Sequence, residues 1–161
     1  MSAVTQERPV EAAAVLIDPR GPRFAATLTT VLLAVALLAP SALSIGLLAV
    51  QAVVFAVGAV AGVQRTPYAW LFRTLVRPRL GKPDHLEDAR PPRFAQTVGL
   101  AFAVVALAGY VAGADLLGAI ATGLALAAAF LNAVFGFCLG CEVYLLLHRA
   151  KQRTAHRLAT T

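Results

Sequence analysis

Charged residues are rare in this chain, and the long segments that lack them are its most informative feature for the fold class. Only 14% of the 161 residues are charged, whereas 59% are hydrophobic. A soluble domain of this size has too little interior to hide that much apolar surface, so a water-soluble globular fold is excluded. The uncharged residues are concentrated in four runs of 16, 22, 19 and 22 residues, which are Phe24–Ala39, Ala42–Val63, Phe94–Ala112 and Leu116–Phe137.

The lengths of these runs predict the fold class. About 20 apolar residues in a helix span a bilayer, so each run fits one membrane-spanning helix. The sequence also lacks the motifs of common soluble enzymes: it contains no nucleotide-binding loop, no Ser/His/Asp set and no paired carboxylates of the hydrolase type. We therefore expect an all-α membrane protein with four transmembrane helices.

Basic residues are absent from the two short connectors, Pro40–Ser41 and Gly113–Asp115. All fourteen Lys and Arg residues lie instead in the N-terminal arm, the central loop or the C-terminal tail. Because positive residues accumulate on the cytoplasmic side of inserted helices, both termini are predicted to be cytoplasmic. The expected location is the inner (plasma) membrane, with several crossings.

The formal net charge of +6 raises the question of nucleic-acid binding. No nucleic-acid-binding fold motif accompanies the charge, and the basic residues sit where the bilayer rule puts them. We therefore interpret them as facing anionic lipid rather than nucleic acid. The sequence does not determine the oligomeric state, and a homo-oligomer is compatible with it.

An internal repeat appears when the chain is shifted by seventy positions. One copy of the octapeptide D-x-R-x-P-R-F-A runs from Asp18 to Ala25, and the other runs from Asp88 to Ala95. The alignment predicts two repeated helical hairpins in a pseudo-twofold bundle, related by an axis along the membrane normal. The predicted segments are a flexible or interfacial arm, a first hairpin repeat, a cytoplasmic linker, a second hairpin repeat and a basic cytoplasmic tail, at 1–17, 18–80, 81–87, 88–149 and 150–161.

The octapeptide has two interpretations. In the first, its aspartate complements the positive start of a helix and its arginines anchor at lipid headgroups. In the second, two helix N-termini and four arginines converge on a site that binds an anion or a headgroup. The candidate residues for that site are Arg20, Arg23, Arg90 and Arg93.

Each hairpin is followed by a segment typical of an interfacial helix. Aromatic residues are mixed with arginines from Arg65 to Pro78, and a related segment occupies Gly136 to Arg149. One straight helix from Leu116 to Leu147 would measure about 48 Å at about 1.5 Å per residue, which exceeds the hydrocarbon core. We therefore expect the helix to break near Gly136–Gly140.

Cysteine is nearly absent, and the only two residues, Cys138 and Cys141, form a C-x-x-C motif. In a cytosolic setting such a pair is typical of redox chemistry or metal binding rather than of a permanent staple. A helix that begins after the break would lower the thiol pKa of Cys138, making it the attacking thiolate and Cys141 the resolving residue. Alternatively, both residues fill a helix interface. Two thiolates leave a tetrahedral site half empty, so no metal site is predicted.

Glu142 adjoins Cys141 and is the last acidic residue of the chain. A carboxylate near the bilayer needs a partner, and Arg23 and Arg93 are the expected salt-bridge partners. Alternatively, Glu142 accepts a proton from a neighbouring thiol. We include it with Cys138 and Cys141 as a candidate catalytic residue.

Three motifs together resemble a bacterial, mainly actinobacterial, integral membrane family that is catalogued as domain of unknown function 4395. They are D-x-R-x-P-R-F-A, R-P-R-L-G-x-P before E-D-A-R-P-P-R-F-A-Q, and F-G-F-C-L-G-C-E-V-Y, and the resemblance covers roughly Ile17 to Arg149. It implies an integral membrane protein and assigns no activity. It also points to thiol or sulfur handling with a thioredoxin-like or sulfurtransferase partner.

Two hypotheses follow for the function. The first is a thiol–disulfide or sulfur-relay protein that uses Cys138 and Cys141 at the cytoplasmic membrane face. The second is a non-enzymatic membrane scaffold or a component of a small-solute transporter, with structural cysteines. The cofactor is unknown, and no motif demonstrates a quinone site.

Overall fold

Four long helices dominate the computed structural model, which describes residues 15–159 and the side chains of residues 15–153. Most of the arm expected at 1–17 and the end of the tail, 160–161, lie outside the described residues. The long helices are α1 (Arg20–Leu38), α2 (Ser41–Ala61), α4 (Arg90–Val111) and α5 (Asp115–Phe135). All four are long and apolar enough to cross a membrane, which confirms the predicted spans.

The remaining elements are short, except for the last helix. A 3-10 turn at Val63–Arg65 precedes α3 (Pro67–Leu71), which continues through a π-helical turn at Phe72–Val76 and a 3-10 turn at Arg77–Arg79. Thr66 caps α3, because its hydroxyl accepts the Ala69 N–H at 3.2 Å. The chain closes with α6 (Leu139–Ala159).

The long helices pack mainly across the two halves of the chain. Helix α1 lies chiefly against α5 and α2 lies chiefly against α4, while α1 and α2 touch each other less. The core is small, with Leu33, Ala36, Leu48 and Ala106 almost fully buried. Gly109 and Gly118 bring α4 and α5 together so closely that a Cβ on Gly109 would lie 2.6 Å from the Gly118 backbone nitrogen. Small residues at such contacts are what helix packing in lipid requires.

Most apolar side chains of the spans point outward. Only 17–33% of the most apolar window of each span is buried inside the bundle. Large side chains such as Leu38, Val60 and Leu116 are more than three-quarters exposed. An apolar exterior of this extent is stable against lipid and not against water.

The two ends of the bundle differ in character. At one end, Arg23 of α1 reaches the end of α5 and Arg93 of α4 reaches the end of α2, so the helix ends that carry the basic residues lie together. At the other end, the Ser41 hydroxyl donates to Asp115 Oδ1 at 3.2 Å and joins the two short connectors. We call these the basic end and the connector end.

A two-stranded antiparallel ribbon ties the two octapeptides together at the basic end. Its strands are β1 (Leu16–Ile17) and β2 (Glu87–Asp88), with Leu16 opposite Asp88. The Ala89 N–H extends the ribbon by donating to the Val15 carbonyl at 2.9 Å. The starts of α1 and α4 are therefore held side by side.

The break after the fourth span lies where the sequence predicted it. Helix α5 ends at Phe135, and Gly136 adopts the left-handed conformation at φ 68°, which glycine adopts without strain. Two further residues separate Gly136 from α6, so Cys138 immediately precedes its first residue, Leu139.

Candidate functional site

The two cysteines lie at the break between α5 and α6, at the basic end. Their sulfur atoms are at disulfide-bonding distance, and their Cα atoms are 5.2 Å apart. Cys138 also acts as the N-cap of α6, because the Cys141 N–H donates to Cys138 Sγ at 3.3 Å. The Glu142 N–H donates to the Cys138 carbonyl at 3.0 Å and closes the first helical turn. Both cysteines are half-buried.

The loop that carries the pair is fixed on its upstream side by α1. Four carbonyls near the end of α5 have partners: Leu131 and Asn132 accept from the backbone N–H groups of Phe137 and Gly136. Ala133 and Val134 accept from the Arg23 guanidinium at 3.1 and 2.7 Å. These hydrogen bonds fix the helix end that precedes the cysteines.

On its downstream side the loop is fixed by α4. Gly140, between the two cysteines, packs so tightly on α4 that a Cβ at this position would lie 2.6 Å from the Ala95 Cβ. One turn later, the Tyr144 ring lies 5.7 Å from the Phe94 ring. Sequence analysis did not identify these contacts as part of the site, although the Gly136-x-x-x-Gly140 spacing is a signal for close helix approach.

Glu142 is exposed and lies in the first turn of α6. Among the described side chains it has no ion-pair partner, so the salt bridge expected with Arg23 or Arg93 is not formed. The physical reason is that both arginines are committed to helix-end carbonyls. The carboxylate stands four residues after Cys138, which places it on the same face as Cys138, and it adjoins Cys141 in the chain.

Arg20 and Arg90 form matching ion pairs inside their octapeptides. Arg20 Nη2 lies 2.9 Å from Asp18 Oδ2, and Arg90 Nη2 lies 2.6 Å from Asp88 Oδ2. The backbone N–H groups of both arginines also donate to their aspartates, which confirms that each aspartate complements the start of a helix. The hydrogen bond from the arginine side chain is the largest cause of the lowered pKa of Asp18 and of Asp88.

Arg23 and Arg93 make the same contacts on two different helices. Arg23 donates to Ala133 and Val134 of α5, whereas Arg93 donates to Ala59 and Val60 of α2 at 2.7 and 2.8 Å. The structure therefore brings the four arginines to one end of the bundle and gives each of them a protein acceptor. Their role as anion or headgroup ligands stays a prediction.

Three polar residues, two of them inside the spans, form one hydrogen-bonded chain. The Tyr68 hydroxyl of α3 donates to Gln51 Oε1 at 2.8 Å, and Gln51 Nε2 donates to Thr29 Oγ1 at 3.4 Å. Gln51 is fully buried. Burial raises the pKa of Tyr68. This network joins α1, α2 and α3 and anchors the segment after the second span against the bundle.

Within residues 15–153, no cluster of three or more His, Cys, Asp or Glu side chains is arranged to hold a metal ion. The chemistry that the described residues bring together is therefore that of the cysteine pair and the neighbouring carboxylate.

Comparison with known proteins gives one match. A family model described as a domain of unknown function (DUF4395) matches residues 17–149, which confirms the resemblance seen in the sequence. No curated protein and no solved structure matches the chain. The matched region contains all four spans, both octapeptides and the cysteine pair.

Proposed function

The chain belongs to the DUF4395 family, and we propose that it is a thiol–disulfide exchange protein of the plasma membrane. Its reactive groups are Cys138 and Cys141, and its partner is a thioredoxin-like or sulfurtransferase protein. The exchange takes place at the cytoplasmic face, where the positive-inside rule puts the basic end. Four helices able to cross a membrane support the membrane setting.

The observation that carries the proposal is the hydrogen bond from the Cys141 N–H to Cys138 Sγ at 3.3 Å. It stands at the start of a helix of 21 residues, where backbone N–H groups and the helix dipole favour negative charge. In the reduced protein the same N–H stabilises a thiolate on Cys138. A thiolate at such a position is the attacking group in thiol–disulfide exchange.

The exchange proceeds in two steps. The Cys138 thiolate attacks one sulfur of the partner's disulfide, which forms a mixed disulfide and releases one partner thiolate. The Cys141 thiolate then attacks Cys138 Sγ, which forms the Cys138–Cys141 disulfide and releases the second partner thiolate. Two electrons pass from the cysteine pair to the partner, and a dithiol partner returns the pair to the reduced form by the reverse steps.

Glu142 takes part as the proton acceptor of the second step. Cys141 must lose its thiol proton before it attacks, and the Glu142 carboxylate is the adjacent residue in the chain and is open to solvent. Its lack of an ion-pair partner among the described side chains supports this role, because an unpaired carboxylate is available to accept a proton.

A sulfurtransferase partner would use the same thiolate. The Cys138 thiolate would attack the outer sulfur of a persulfide on the partner, form a Cys138 persulfide and release the partner thiolate. Attack by Cys141 on Cys138 Sγ would then form the disulfide and release hydrosulfide, and a dithiol partner would reduce the pair again. With either partner type, the reactive atoms of the protein are the sulfurs of Cys138 and Cys141. The group released when the disulfide closes differs: it is a partner thiolate in disulfide exchange and hydrosulfide in sulfur transfer.

The test is the reactivity of the two thiols in the reduced, full-length protein in detergent. We expect maleimide to alkylate the Cys141→Ser variant, which retains Cys138, with a pH midpoint clearly below the ordinary thiol pKa of about 8.5. The Cys138→Ser variant should react with a higher midpoint. Glu142→Gln should leave the Cys138 midpoint nearly unchanged and slow closure of the disulfide.

A trapping experiment separates the proposal from a structural role. In cells, the Cys141→Ser variant cannot resolve the mixed disulfide and should accumulate a covalent partner that reductant releases. The Cys138→Ser variant is the matched control and should accumulate none. Two equally unreactive thiols without a trapped partner would favour the scaffold or transporter hypothesis instead.

A further inference from the structure

Helix α6 carries an apolar stripe that no described part of the protein covers. The stripe consists of Leu139, Val143, Leu146 and Leu147, whose spacing puts them on one face of the helix. Leu146 and Leu147 are 61% and 58% exposed. The neighbouring face, with Gly140 and Tyr144, is the one that packs on α4.

The stripe follows exposed apolar residues at the end of the fourth span. At the end of α5, Val134 is 47% and Phe135 is 68% exposed, and Phe137 in the break is also exposed. Exposed apolar side chains thus occur at the end of α5, in the break and on α6. Because the exposed side chains of the span face lipid, lipid is also the nearest apolar partner for the stripe.

The contacts of α6 with α4 lie near the start of α4. Gly140 packs against Ala95, and the Tyr144 ring lies 5.7 Å from the Phe94 ring. Both α4 residues belong to the first six residues of that helix. Since Phe94 begins the uncharged run of this span, the first turns of α6 lie at the level of the membrane surface.

The polar residues of α6 fit the same placement. Arg149, Lys151 and Arg153 follow the stripe and are exposed. Basic residues beside an apolar stripe are the pattern of helices that lie on an anionic membrane surface.

We infer that α6 is a membrane-surface helix whose stripe lies at the boundary between the headgroups and acyl chains of the bilayer and whose basic residues contact anionic headgroups. The inference stands independently of the redox chemistry. It places the cysteine pair at the water–lipid boundary, with the stripe facing lipid.

The test uses the full-length protein, one copy per lipid nanodisc. Trp70 is the only tryptophan, so Trp70→Phe provides a silent background. On this background, Leu146→Trp reports from the stripe, and Gln152→Trp, on a different face of α6, is the control. Nanodiscs of phosphatidylcholine brominated near the headgroup end of its acyl chains measure contact with lipid, with and without added phosphatidylglycerol.

We expect the Leu146→Trp emission to be blue-shifted and quenched several-fold more strongly than the Gln152→Trp emission, and phosphatidylglycerol to increase the difference. Equal, weak quenching at both positions would overturn the inference. It would show that the stripe does not contact lipid and is instead covered by a second copy or by another protein. If the Leu146→Trp variant does not give a monodisperse protein, Val143→Trp on the same stripe must give the same result.

Discussion

Arg23 on α1 and Val134 on α5, 111 positions apart, are joined by a hydrogen bond of 2.7 Å from the guanidinium to the carbonyl. Arg93 makes the corresponding bond to Val60 at 2.8 Å. In each case a positive side chain meets the negative end of a helix from the other half of the chain. The end of each of these helices is therefore stabilised by a residue from the other half of the chain.

Replacing either arginine should destabilise the bundle to a similar degree. Arg23→Gln and Arg93→Gln each remove two hydrogen bonds to helix-end carbonyls, and the groups are exposed, so we expect a loss of about 1 kcal/mol each. Thermal unfolding in detergent, followed by size-exclusion chromatography, measures the effect. Arg65→Gln, at the same end of the bundle, is the control, and an equal loss there would contradict this explanation.

Adding a methyl group at Gly140 should loosen α6 from α4. A Cβ at this position would lie 2.6 Å from the Ala95 Cβ, so Gly140→Ala should cost about 1–3 kcal/mol through overpacking. Gly46→Ala is the control, because a Cβ there meets nothing within 4 Å. Thermal unfolding of the two single variants in detergent measures the difference. An equal loss of stability at both positions would contradict the explanation by overpacking.

Removing the Tyr68 hydroxyl should destabilise the protein, because the buried Gln51 then loses a hydrogen bond. Tyr68→Phe leaves Gln51 Oε1 without its donor at 2.8 Å, and an unsatisfied buried acceptor costs about 1–3 kcal/mol. A second change, Gln51→Leu, should recover part of this loss because it removes the stranded acceptor. Tyr144→Phe is the matched control. The prediction fails if the Tyr68 and Tyr144 variants unfold at the same temperature.

Acid should weaken the starts of α1 and α4. The pKa values of Asp18 and Asp88 are lowered, chiefly by hydrogen bonds from Arg20 and Arg90. Their contribution to stability is therefore fully present above the unfolded-state pKa of about 3.9 and is lost as the pH falls through the lower folded-state values. The Asp18→Asn/Asp88→Asn double variant should be less stable than the wild type at neutral pH. Its disadvantage should shrink as the pH falls below about 3.9 and vanish once the pH lies below the lowered folded-state pKa values, where the wild-type carboxyls are also neutral. If the difference in stability between the double variant and the wild type stayed constant across this pH range, the ionised aspartates would not be its cause.

The elements that depend on composition and local chemistry were predictable from the sequence. Long uncharged runs fix where helices cross a bilayer, so all four spans were found within a few residues of their ends. The break at Gly136 followed from length, because one helix through Leu147 would overrun the membrane. The position of Cys138 before the first residue of α6 followed from that break.

The choice of helix neighbours was not predictable. Every face of an Ala- and Leu-rich helix looks similar in the sequence, so nothing there indicates that α1 packs chiefly on α5. For the same reason, Arg23 was read as a headgroup anchor or a partner for Glu142, since its carbonyl acceptors lie 110 and 111 positions away. A side chain with several acceptable partners cannot be assigned before the backbone is in place.

The cross-packing of α1 with α5 has a consequence for synthesis in the membrane. When the first two helices have emerged from the ribosome, their principal neighbours do not yet exist, and the acceptors of Arg23 are among the last parts of the bundle to be made. Until α4 and α5 are made, α1 and α2 stay in lipid, or beside the insertion machinery, without their main packing partners. A truncated chain that stops in the central loop should therefore be a substrate for membrane quality-control proteases.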